Sequence, residues 1–284
     1  MKQTRTRLAT AVGIAVIASG CGSSDPVEPT EVVLGETTFV VTVNPPVNDV
    51  HEPDVPQPGA EREDVDVASP NVQANTESDG VAVLAGVEPG NVDLWIEGFA
   101  IEGELTEPIE SGQLVEMAVA VDGDGAEVMA RNDYDLAGDV VVIGAEEPVD
   151  RVQDALREDG QIVLLEDGTY TFEGGDGTLE FRGHGLTLFG AGPRGGRVTI
   201  EGNVAIHGGE NRIRGADIRG DLTIPSNTAA VAFSTVEGGT EVTGNHAANL
   251  ANTFCGAFTA TGSAVVALGN RGLEPVEAPE HECP

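Results

Sequence analysis

Five consecutive units of eighteen residues decide the fold: GLTLFGAGPRGGRVTIEG (185–202), NVAIHGGENRIRGADIRG (203–220), DLTIPSNTAAVAFSTVEG (221–238), GTEVTGNHAANLANTFCG (239–256) and AFTATGSAVVALGNRGLE (257–274). Aligned as columns, the second position reads Leu186, Val204, Leu222, Thr240, Phe258 and the fourth Leu188, Ile206, Ile224, Val242, Ala260. Between them Thr187, Ala205, Thr223, Glu241 and Thr259 alternate outward. Four units close on Gly202, Gly220, Gly238 and Gly256, and the sixth column (Gly190, Gly208, Ser226, Gly244, Gly262) is small enough for a tight corner. Short strands and glycine corners at a fixed period predict a solenoid in which each coil covers its neighbour's apolar face. The expected fold is all-β, a parallel β-helix of five coils, about 24 Å long at ~4.8 Å per strand spacing.

Upstream, Glu146-Glu-Pro-Val-Asp-Arg-Val-Gln-Asp-Ala-Leu156 places Pro148 in a first helical turn with Val149, Val152, Ala155 and Leu156 on one face, which predicts a capping helix over 146–158. A strand pair, Ile162 to Leu165 and Thr169 to Phe172, follows around Asp167-Gly168. A coil of eighteen residues also suits a left-handed hexapeptide helix. The order of helix, Ile-Val-Leu-Leu, Asp-Gly-Thr-Tyr-Thr-Phe and Leu-Thr-Leu-Phe-Gly-Ala-Gly resembles instead the opening of pectate-lyase-like right-handed β-helix proteins, and the solenoid unit is set at 139–274. That resemblance implies a polysaccharide lyase or glycoside hydrolase working with paired acids, or with acids that hold calcium beside an Arg or Lys base.

Residues 37–135 form a separate unit. Short β-type stretches, Thr37 to Val43, Val81 to Leu84, Val92 to Ile96 and Leu114 to Val121, alternate with turns such as Pro89-Gly90-Asn91, the pattern of a small β-sandwich. A Pro-rich acidic insertion occupies 45–64. Thr76-Glu-Ser-Asp-Gly80, Leu84-Ala-Gly-Val-Glu-Pro-Gly90 and the strand Val92 to Ile96 resemble the carboxypeptidase regulatory-like domain, which implies a non-catalytic spacer or stalk.

The N-terminus carries Lys2, Arg5 and Arg7, then the apolar run Leu8 to Ile17, then Ala18-Ser19-Gly20-Cys21. This is a signal peptide (1–20) rather than a membrane span, which needs ~20 apolar residues. Small residues before a cysteine resemble the lipobox of bacterial lipoproteins, which implies a lipid on Cys21, a tether over 21–36 and a place on the outer membrane or cell surface. Without the three leader cations the formal charge falls from -34 to -37, a surface that repels nucleic acid. Besides Cys21 the chain has only Cys255 and Cys283, in an exported protein a disulfide pair that clips the tail 275–284 to the body. Zinc is poorly supported, since no CxxC occurs and the five His are dispersed.

The stretch from Arg212 to Asp221 is the one candidate catalytic set, with Arg212, Arg214, Asp217 and Asp221. The repeat frame gives a plainer reading. Glu201, Arg219 and Glu237 share the seventeenth column and should stack as an ion-pair ladder worth roughly 0.2–1 kcal/mol per pair. Phe189, His207 and Pro225 share the fifth column and form either a stacking strip for a sugar or a corner packing cluster. Asp122-Gly-Asp-Gly125 lacks the full spacing of a calcium loop and reads as a hairpin turn, so no metal and no cofactor are expected. The expectation is a lipid-anchored surface protein whose β-helix binds or presents without catalysis, with polysaccharide or another surface protein as partner; the alternative is a polysaccharide-active enzyme.

Overall fold

The computed structural model describes residues 36–45, 64–77, 80–101, 108–121, 125–136, 140–172, 177–190, 198–250, 252–263, 265–268 and 270. Cys21 with its leader and tether, most of the 45–64 insertion, and Cys283 with its tail lie outside these residues.

The N-terminal unit consists of β1 (Thr38–Val43), β2 (Asp66–Ala68), β3 (Gln73–Asn75), β4 (Val81–Ala85), β5 (Trp95–Ile96), β6 (Phe99–Ala100), β7 (Gln113–Val121) and β8 (Ala126–Asp135). One sheet has the order β4-β1-β7-β8 and the other β3-β2-β5-β6. Their facing sides share a core of Phe39, Val41, Leu84, Met117 and Val119 from the first sheet with Val67 and Ile96 from the second. This is the expected small sandwich. Strands β7 and β8 pair antiparallel up to Val121↔Ala126, and Asp122, Gly123 and Asp124 of the expected hairpin turn lie outside the described residues.

The solenoid begins with β9 (Val140–Ile143) and the short helix α1 (Asp150–Ala155). Five triplets of strands follow. The first two are β10 (Ile162–Leu165), β11 (Gly168–Thr171), β12 (Thr178–Phe181) and β13 (Thr187–Gly190), β14 (Val198–Glu201), β15 (Asn203–Ile206). The third and fourth are β16 (Arg212–Arg214), β17 (Ala216–Ile218), β18 (Leu222–Ile224) and β19 (Ala230–Ala232), β20 (Thr235–Val236), β21 (Thr240–Val242). The fifth is β22 (Ala248–Leu250), β23 (Thr253–Phe254), β24 (Phe258–Ala260), and β25 (Val266–Leu268) opens a further coil. Stacked in register, they make three parallel sheets: sheet I (β25-β22-β19-β16-β13-β10-β9), sheet II (β11-β14-β17-β20-β23) and sheet III (β12-β15-β18-β21-β24).

The eighteen-residue register holds from β14 onward, with Val204↔Leu222, Leu222↔Thr240 and Thr240↔Phe258 directly paired. The opening of the unit at 185–202, up to Gly190, does not share this frame. Leu188 pairs with Ile213, twenty-five positions on, and the true predecessors of Val204 and Ile206 are Leu179 and Phe181. The cause is an insertion: seven residues, 191–197, separate β13 from β14, whereas Ala216 follows directly on Gly215, the residue stacked on Gly190. A Gly/Pro/Arg segment with no apolar period left the count in step by coincidence. Strands β10 and β11 likewise are not partners but belong to different sheets.

The glycine corners work by close approach. A Cβ on Gly220 would overlap the carbonyl oxygen of Gly202, and one on Gly244 that of Ser226, so the stacked coils admit no side chain there. The helix expected over 146–158 is shorter. Arg151 and Val152 N–H bond to Pro148 and Val149 carbonyls at 2.9 and 3.0 Å, a tighter i to i+3 turn, and only Asp150–Ala155 continue as α-helix. The end rung of sheet I is β9, while Val152 and Leu156 bury themselves against the solenoid core.

Candidate functional site

The sandwich lies against the outer face of sheet I. Strand β1 is buried at all six positions and β13 at all four, which is possible only if both faces are covered. Val40, Leu114, Ala118, Tyr134 and Leu136 from the sandwich meet Phe189, Ala232 and Phe233 from the solenoid in one apolar cluster.

Inside this seam sits a charged group. Glu116, on β7, and Arg214, on β16, are both fully buried and joined through Arg214 Nε donating to Glu116 Oε1. The other carboxylate oxygen accepts the Tyr134 hydroxyl at 2.8 Å. The Arg214 guanidinium stacks 5.5 Å from the Phe189 ring centre and 4.9 Å from that of Phe233, and Tyr134 meets Phe189 edge-on at 5.1 Å. Phe233 adopts a left-handed backbone (φ 48°), rare for a bulky residue, at the point where its ring covers the guanidinium. Burial, and then the neighbouring Glu116 carboxylate, raise the Tyr134 pKa well above the ordinary phenol value. Removing two charges from water costs several kcal/mol per ion, so their mutual bonds and aromatic cover are what make the arrangement tolerable. The group links a sandwich strand to a solenoid strand across the seam.

Beside this group, where β8 forms the edge of its sheet, a cleft of about 450 Å³ opens toward solvent. Its floor is the outward row Ile162, Thr187, Arg212, three residues in mutual register on sheet I. Asp133, Tyr134 and Asp135 form one wall, and Asp159, Gly160, Gln161, Gly185 and Glu210, from the solenoid corners, form the other. Arg212 closes one side by donating to the Asp133 carbonyl, with its guanidinium 5.2 Å from the Tyr134 ring centre.

The candidate catalytic set is dispersed. Arg214 is sealed in the seam and Arg212 lines the cleft, whereas Asp217 faces out from sheet II, in register with Thr199 and Thr235. Half-burial raises the Asp217 pKa, opposed by a hydrogen bond with Thr235 and by Arg219. Asp221 is a corner rung: its N–H donates to Asn203 Oδ1 at 2.9 Å, and its Oδ1 accepts Gly239 N–H at 2.7 Å. The ion-pair ladder is present, with Arg219 3.8 Å from Glu201 and 3.6 Å from Glu237.

Phe189 does not share a column with His207 and Pro225. The shifted frame puts it on sheet I against the sandwich, while His207, exposed, follows β15 and lies 3.9 Å from Glu180. Cys255 follows β23, one coil beyond Glu237 in the ladder column. No three His, Cys, Asp or Glu side chains among the described residues are placed to hold a metal.

Sequence reasoning missed Glu116, Tyr134 and the cleft. A signal for Glu116 was available: a single acid inside the otherwise apolar run Leu114 to Val121. These features define an all-β protein in which a small sandwich is locked onto one face of a parallel β-solenoid. Neither a protein-family model, nor a curated protein, nor a solved structure matches the chain.

Proposed function

We propose that this chain is an exported lipoprotein, held to a membrane through a lipid on Cys21, whose sandwich and solenoid form a non-catalytic body that binds or presents at the cell surface. The sandwich is read as a stalk of the carboxypeptidase regulatory-like kind, and the solenoid as a right-handed β-helix of the pectate-lyase-like kind. Carbohydrate and other surface proteins are the partners this placement favours. A disulfide between Cys255 and Cys283 would fasten the tail to the last coils.

One observation carries the non-catalytic reading: the side chains that could have served catalysis are employed in the framework. Arg214 neutralises Glu116 out of reach of solvent, and Asp221 bridges consecutive corners. A general acid and base must converge on one reacting bond, and these groups sit in different places. The competing assignment, a polysaccharide-active enzyme, is tested by incubating the protein with acidic polysaccharides and following unsaturated and reducing ends. No product is expected; turnover that disappears in Asp217→Asn would overturn the reading. For the anchor, metabolic labelling with a fatty acid should mark the wild type and not Cys21→Ser, and equal labelling of both would remove the lipid from the proposal.

A further inference from the structure

The cleft beside the seam contains a polar group that the fold leaves unused. Thr187 is only 7% exposed, points outward from sheet I between Ile162 and Arg212, and lines the cleft floor. Its N–H bonds to the Gln161 carbonyl at 3.0 Å, but its hydroxyl has no partner among the described residues. The side chain is more than nine-tenths buried, and its hydroxyl reaches solvent through the cleft, so what can satisfy it is whatever occupies the cleft, water or a ligand.

The walls around it are unequal in charge: four carboxylates, Asp133, Asp135, Asp159 and Glu210, against the single guanidinium of Arg212. Arg131 holds Asp133 through two bonds of 2.8 Å, and Asp159 accepts the His184 N–H at 2.8 Å. The Glu210 carboxylate has no partner among the described residues. A bare metal ion fits poorly, because the acids do not converge. A larger cation fits better, since its hydrogen-bond donors can be spread across both walls.

We propose that this cleft binds a primary ammonium compound, its N–H groups shared between the Thr187 hydroxyl and the wall carboxylates, Glu210 first among them. The volume lies within the range of small-molecule pockets. The ammonium could belong to a linear amine or to an amino sugar. The inference deepens the binding half of the proposed function and does not depend on Cys21 carrying lipid.

Calorimetric titration of the full chain at about 0.15 M salt, where diffuse surface charge is screened, tests it with putrescine, glucosamine and the uncharged N-acetylglucosamine. Saturable binding of either amine, with none by N-acetylglucosamine, is expected, and which amine binds names the source. Thr187→Val keeps charge and β-branching and should raise Kd about three- to tenfold, the loss of one hydrogen bond; Thr187→Ser should restore it. Glu210→Gln should weaken binding by a similar factor, while Glu241→Gln, exposed on sheet III, should leave it unchanged. Absence of saturable binding by both amines, or equal losses in Thr187→Val and Glu241→Gln, would overturn the proposal. Fatty-acid labelling is a separate readout, so failure here and failure of the anchor are told apart.

Discussion

Sheet I and sheet II are built from the same coils, yet they solve opposite problems. Sheet II turns its outer face to water and covers it with Thr199, Asp217 and Thr235 in one row and Glu201, Arg219 and Glu237 in the next. Its ion pairs are half-exposed, longer than 3.5 Å and worth little. Sheet I turns Leu164, Phe189 and Ala232 toward the sandwich and buries one complete ion pair among them. Identical charge chemistry is therefore surface decoration on one face and a determinant of assembly on the other. What differs is the water available to each charge.

The largest effect should come from breaking the buried pair on one side. Glu116→Ala or Arg214→Met leaves an uncompensated charge in the seam, at a cost of about 3–5 kcal/mol. The double variant Glu116→Leu/Arg214→Met should recover most of that loss in urea unfolding. The same cycle at Glu201 and Arg219 should give a coupling of about 0–1 kcal/mol. Comparable coupling at the two sites would dissolve the contrast between the sheets. A spectroscopic check is available because both of the chain's tyrosines are buried: Tyr134 is raised well above its ordinary value, and Tyr170, buried beside Glu166, is pushed up to about 12. A raised phenol pKa stabilises the fold below about pH 10 and ceases to do so as pH climbs through the folded value. Phenolate absorbance should thus stay absent at pH 10 and rise with alkaline unfolding.

The coils themselves offer a middle-sized contrast. Asn252 is buried and bridges coils through Ser234 N–H at 3.0 Å and the Val231 carbonyl at 2.8 Å, while Asn245 does similar work in solvent, accepting Ser263 N–H at 2.8 Å. Asn252→Ala should cost about 1–3 kcal/mol, because it orphans a buried donor. Asn245→Ala should cost less than about 1 kcal/mol, because water replaces the bond. Equal losses would mean that these ladders act by shaping the corner rather than by satisfying it.

What the sequence revealed follows the same division. Columns on sheets II and III were legible because inward apolar residues alternate with polar outward ones, and Gly202, Gly220, Gly238 and Gly256 mark each corner. Sheet I was illegible as a face: β13 (Thr-Leu-Phe-Gly) and β10 (Ile-Val-Leu-Leu) are apolar at consecutive positions, which says that both sides are covered without saying by what. The covering strand β1 (Thr-Phe-Val-Val-Thr-Val) lies more than a hundred residues upstream, and no local period connects the two. Arg214 could be singled out as unusual, but its partner Glu116 is 98 positions away and only the fold pairs them. The seven-residue insertion hid the first coils because its length restored an apparent period of eighteen.

The smallest effect is expected at Asp217, the one acid in a row that otherwise reads Thr169, Thr199, Thr235, Thr253 on sheet II. Half-burial raises its pKa above the ordinary 3.8, so the folded chain holds its proton more tightly than the unfolded chain. The linkage then runs in one direction: stability is full below the ordinary value and is partly lost as pH rises through the folded value. At neutral pH the ionised side chain is a small burden, moderated by solvent screening, by Thr235 and by Arg219. Asp217→Thr completes the row and should raise Tm at pH 7 by about 1–2 °C, with the difference shrinking toward zero as pH approaches 3.5. Loss of stability at pH 7 would show that the hydrogen bond to Thr235 outweighs desolvation, and that this outer face depends on its charge more than the comparison with sheet I allows.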